Sequence, residues 1–163
     1  MASLVMVFLI PVFGKLSDTF GRRKTFAMGV VGIALLAYPS FWLMNTREVP
    51  LVMLAIIVPF GIVYPMVYGP IAAMFSESFS TRVRYTGVSF VYQFSGIFAS
   101  GLTPLIAAAL LHYDDGQPWL IAAYMVGVAI ISLISVGLLG DRTGKALSEI
   151  DQISAARISA VAR

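Results

Sequence analysis

The chain contains no cysteine and only one histidine in 163 residues. The first absence removes disulfides, thiolate metal sites and thiol nucleophiles. The second leaves little for an imidazole-based metal centre, because His112 stands only beside Asp114 and Asp115, a poor ligand set at a helix end. Charge is scarce as well: Asp, Glu, Lys and Arg make up 12% of the residues, against about 25% in an average soluble domain. There is no Ser/His/Asp set and no phosphate-cradling glycine loop followed by lysine and threonine. The sequence therefore reads as a non-enzyme without metal or cofactor, and an ATP-driven mechanism has no support in it.

What is abundant is apolar side chain, at 59% of residues and a mean hydropathy of +0.89. The runs Thr25 to Met44, Leu51 to Phe75, Val88 to Leu111 and Pro118 to Gly140 each reach the roughly 20 residues that cross a ~30 Å hydrocarbon core at ~1.5 Å per residue. They lack strict apolar/polar alternation, and lipid-exposed sheet edges would be unsatisfied, so helices are expected. Ala2 to Phe13 is shorter and leads straight into a charged turn; no Lys or Arg precedes it and no cleavage pattern follows, which argues against a signal peptide. It reads as the back half of a further helix, with Met1 placed inside a span. The expectation is an all-α membrane protein with five transmembrane helices at about 2–13, 25–44, 51–75, 88–111 and 118–140, the first truncated, and a polar tail at 141–163. In that tail Leu147, Ile150, Ile158 and Val161 form a weak stripe that suits a helix on the membrane surface or a disordered tail.

A formal charge of +3 is not here a nucleic-acid footprint, because the cations sit in loops between apolar runs. Lys15, Arg22, Arg23 and Lys24 fall in 14–24, Arg82 and Arg84 in 76–87, and Arg142, Lys145, Arg157 and Arg163 in the tail. By the positive-inside bias these three segments are cytoplasmic and the acidic loop around Asp114 and Asp115 faces outward.

The densest polar stretch is Gly14 to Lys24, GKLSDTFGRRK. Gly14 has no side chain to keep another helix away, Gly21 permits a turn with positive φ, and Asp18 precedes Arg22 by one helical turn. With a further acid, such as Glu77 at the end of the third apolar run, this set can latch helix ends in one conformation. The competing reading is that the cations only set topology against lipid headgroups, and for Arg23 and Lys24 that reading is preferred. In Leu51 to Phe75, Pro59, Pro65 and Pro70 with Gly61 and Gly69 suggest a bending, gating helix. Tyr64 and Tyr68 share one of its faces. On the following run Ser89, Tyr92 and Gln93 are the polar groups. Intramembrane polar groups mark pathways or bond neighbouring helices, so Tyr64, Tyr68, Ser89, Tyr92 and Gln93 are substrate-path candidates. Gly96 and Ser100, four apart, offer a close-packing notch.

The spacing of Gly14, Asp18, Gly21, Arg22 and Arg23 resembles G-x-x-x-D-x-x-G-R-R, the cytoplasmic loop signature of the major facilitator superfamily. Phe75 to Leu110, with Glu77, Arg84, Tyr85, Thr86, Gly87, Tyr92, Gln93 and Pro104, resembles the tenth-to-eleventh helix region of its metabolite:proton symporters; Ser80, where sugar porters often carry proline, departs from their pattern. The resemblance implies helices eight to twelve of a C-terminal six-helix bundle. It also implies secondary, proton-coupled transport of an organic acid, amino acid or betaine. The partners would be the lipid bilayer, the small-molecule substrate, protons and a missing N-terminal half, with no nucleic acid, in a bacterial inner membrane. The coupling residue would lie in the missing half, since no full span holds Asp, Glu, Lys or Arg. A complete five-span interaction or assembly protein is the alternative.

Overall fold

The computed structural model describes residues 2–138. The tail at 141–163, with its surface-helix stripe, lies outside the described residues. Five helices are long and apolar enough to cross a membrane: α1 (Ala2–Phe20), α2 (Arg22–Asn45), α3 (Val49–Ser78), α4 (Arg84–Tyr113) and α5 (Trp119–Leu138). No strand occurs among the described residues. The protein is thus all-α and membrane-integral.

The helices run past the apolar segments that announce them. Gly14 to Phe20, expected in a loop, continues α1, which gives that helix 19 residues. The turn to α2 is a single residue. Gly21 sits at φ 96°, ψ 126°, a backbone region closed to most side chains, and helical hydrogen bonds resume at once on both sides: Gly21 N–H to Ser17 O at 3.0 Å and Thr25 N–H to Gly21 O at 3.1 Å. Likewise 76–87 is mostly helical, and only Phe79–Val83 separates α3 from α4. The charged motifs are therefore carried on helix ends rather than on free loops.

Helices α1, α2, α3 and α5 form the packed bundle, with α2 at its centre against α3 and α5. Small residues set the crossings. Ala122, Ala129 and Val136 are the buried positions of α5, spaced by seven, which returns them to nearly one face. On the facing helix Thr25, Gly29, Val30 and Ala37 are buried. A Cβ on Gly29 would stand 2.7 Å from Val67 Cγ2, and one on Gly69 would stand 2.9 Å from the Gly14 backbone nitrogen. The buried hydroxyls of Ser17 and Thr25 donate to carbonyls of Gly14 (2.6 Å) and Gly21 (3.1 Å), which satisfies them without a partner helix.

Two stretches depart from α-helical winding. Ile57–Val63 in α3 and Ile97–Leu102 in α4 are π-helical. The first contains Pro59, whose missing N–H and ring disrupt the regular bond pattern, so the irregular winding of this helix falls at that proline. Helix α4 has no buried residue and meets the bundle through α3 and α5 alone among the larger contacts. The notch expected at Gly96 holds no neighbour: nothing lies within 4 Å of a Cβ placed there, and the Ser100 hydroxyl folds back onto Gly96 O at 2.5 Å.

Candidate functional site

The polar groups gather at one end of the bundle, where α1, α3 and α5 end and α2 and α4 begin. Arg22 occupies the first position of α2, directly after the Gly21 turn, and its guanidinium therefore swings back over the last turn of α1. Nε and Nη2 bond Asp18 Oδ1 at 3.1 and 2.9 Å, while Nη1 bonds Glu77 Oε1 in the last turn of α3. One planar cation thus joins two carboxylates from different helices, a geometry that the guanidinium fork provides and an ammonium does not. The arms differ in environment. The side chains of Arg22 and Glu77 are 18% and 13% exposed, that of Asp18 is 56% exposed. The Arg22–Glu77 arm is the desolvated one, where loss of either partner strands a charge away from water.

Arg84 completes the end of α3. Its Nε donates to Ser76 O at 2.6 Å and its Nη2 to Phe79 O at 3.3 Å, so it caps carbonyls that the helix end leaves open. The Phe79 ring lies on the backbone of Gly87, where a Cβ would come within 2.6 Å of it. Arg23 points the other way around α2 and donates from Nη2 to the carbonyl of Gly137 in α5, at 2.6 Å. That bond is not readable from sequence, because the two residues are 114 positions apart. Gly14 faces α3 with more room than expected, 3.9 Å from a hypothetical Cβ to Gly69 O; the tight glycine of that crossing is Gly69.

The structure brings together part of the candidate path. Phe60, Tyr64 and Tyr68 stack along one face of α3 with centroids 5.6 and 5.8 Å apart, and Tyr92 of α4 meets Phe75 of α3 edge-on at 5.5 Å. Ser89 and Gln93 are exposed on α4, within one turn of Tyr92. An apolar cavity of about 280 Å³ lies between α2, α3 and α5, lined among others by Leu36, Phe41, Ala55, Met125 and Phe60, the first ring of that stack. It contains none of the path candidates.

Residues 1–154 match the sugar (and other) transporter family. The chain belongs to this family of the major facilitator superfamily. It is 33% identical over 132 residues to the shikimate transporter of Escherichia coli (strain K12), an alignment covering 81% of this chain and 30% of that protein. It is 31% identical over 142 residues to the glycine betaine/proline/ectoine/pipecolic acid transporter OusA of Dickeya dadantii (strain 3937), covering 87% and 28%. To the citrate-proton symporter of Klebsiella pneumoniae it is 32% identical over 143 residues, covering 86% and 31%. The chain thus spans less than a third of the length of these relatives. No solved structure matches it.

Proposed function

We propose that the chain serves, as the helix eight-to-twelve portion of a longer transporter, in secondary active transport of a small metabolite driven by a proton gradient. An organic acid, an amino acid or a betaine is the substrate class, in keeping with the substrates for which these relatives are named. The observation that carries the reading is the bridging of Asp18 and Glu77 by Arg22. In a transporter family member, an ion pair joining three helix ends at one membrane face is suited to a latch. It closes in one conformation and must break in the other, so its net contribution to stability can be small while its effect on the conformational equilibrium is large. Gly69 supplies the close approach that holds the ends in register, Gly21 supplies the turn, Arg23 and Arg84 brace the neighbouring helix ends, and this face is the cytoplasmic one of a bacterial inner membrane. Tyr64, Tyr68, Ser89, Tyr92 and Gln93 line the substrate path on α3 and α4. A proton-titrating group belongs to the rest of the transporter, because the apolar runs 25–44, 51–75, 88–111 and 118–140 hold no carboxylate.

Alternating access rocks two bundles around a central site, and the described helices form part of one. Vesicles containing this polypeptide alone should therefore show no saturable, gradient-driven uptake of organic acids, amino acids or betaines. Specific uptake by the chain alone would overturn the reading of it as a part.

A further inference from the structure

The paired arginines of the Gly21 turn reach two different helices. Consecutive residues on an α-helix point about 100° apart, so when Arg22 faces α3 its neighbour Arg23 faces another side of α2. There its guanidinium meets the Gly137 carbonyl of α5. Contact with lipid headgroups alone would leave Arg23 turned outward from the bundle; here it is turned along α2 toward a main-chain oxygen of a helix distant in sequence. The contact also completes a pattern. At the opposite end of the same helix pair, Tyr38 of α2 stacks on Trp119 of α5 with centroids 6.2 Å apart, and between the two fastenings α2 and α5 are in contact.

We propose that Arg23 is the second arm of a two-armed clasp built on the Gly21 turn: Arg22 fastens the end of α3 to α2, and Arg23 fastens the end of α5 to α2. While both arms are closed, the ends of α2, α3 and α5 move as one unit at this face. Helix α4, which has no buried residue, stands outside the clasp. This assignment concerns helix positioning and stands whether or not the transport reading does.

The absence of cysteine makes the test direct. Spin labels are placed through Met28→Cys on α2 paired with Leu138→Cys on α5, and through Met28→Cys paired with Ser78→Cys on α3, all at exposed positions. The chain is reconstituted in lipid nanodiscs and the dipolar distance distributions are recorded. Arg23→Gln should at least double the width of the α2–α5 distribution and leave the α2–α3 distribution unchanged. Arg22→Gln should do the reverse. An unchanged α2–α5 width in Arg23→Gln overturns the proposal, because a headgroup or topology role gives that result. Joint broadening of both distances by Arg23→Gln overturns it too, since that reports general loosening of the bundle and not the release of one arm.

Discussion

The crossing of α1 and α3 offers a stability test in which opposing effects can be separated. An alanine at position 69 would bring its Cβ to 2.9 Å from Gly14 N, 3.2 Å from Ile10 O and 3.3 Å from Phe13 C. All three atoms are backbone, so no rotamer change relieves the clash and the helices must move apart; overpacking of this kind costs about 1–3 kcal/mol. Alanine is also the better helix former by about 1 kcal/mol, which would mask part of the cost. Gly96→Ala supplies the correction, because it is helical and meets nothing within 4 Å, so it reports the propensity gain alone. Gly69→Ala should therefore be less stable than Gly96→Ala by about 1–3 kcal/mol, with Gly96→Ala at or slightly above the parent. The assay is reversible unfolding in mixed detergent micelles, followed by the fluorescence of Trp42 and Trp119. Equal stabilities would refute the close α1–α3 crossing. A destabilised Gly96→Ala would show that a neighbour does occupy the Gly96 face of α4.

Two further outcomes concern orientation and the ion pair. A single cysteine at Ser78 should be protected from an impermeant thiol reagent in intact cells while one at Gln117 reacts; the buried Ser17, 1% exposed, would be protected on either side and is no probe. Labelling of Ser78 from outside would overturn the assignment of the Gly21 end to the cytoplasm. In the complete transporter, Arg22→Ala and Glu77→Ala should each reduce uptake about tenfold, the equivalent of ~1.4 kcal/mol, and the double variant should lose little more. Fully additive losses would show that the two residues do not act through one bond.

Much of the architecture was legible because lipid imposes a simple rule: apolar runs long enough to cross must be helical. Four of the five helices correspond to such runs, and the shorter run Ala2 to Phe13 forms the first part of α1. What the runs could not show was where winding stops. Hydropathy fell at Gly14, and a loop was expected from there to Lys24, yet α-helix carries polar residues as readily as apolar ones where it emerges from hydrocarbon. Only the positive φ of Gly21 interrupts it. The residues of the polar end were legible as types at given spacings. Asp18 and Arg22 are a local pair, i and i+4, and such pairs can be read from sequence. The bond of Arg23 to Gly137 could not be, because a main-chain carbonyl leaves no trace in residue identity. For the same reason the buried hydroxyls of Ser17 and Thr25 gave no signal. The isolation of α4 was hidden too: Val88 to Leu111 is as apolar as its neighbours, and composition does not distinguish a helix packed on others from one left exposed.

The central claim is that this chain supplies the distal helices of a metabolite transporter, and a chimera tests it most directly. The segment of the shikimate transporter that aligns with this chain is replaced by the chain itself, and the product is reconstituted in vesicles with an imposed proton gradient. The account predicts saturable uptake of shikimate or another small organic acid, amino acid or betaine, collapsing when the gradient is discharged and falling about tenfold on Arg22→Ala. Uptake no greater than that of a transporter with the segment deleted would contradict it.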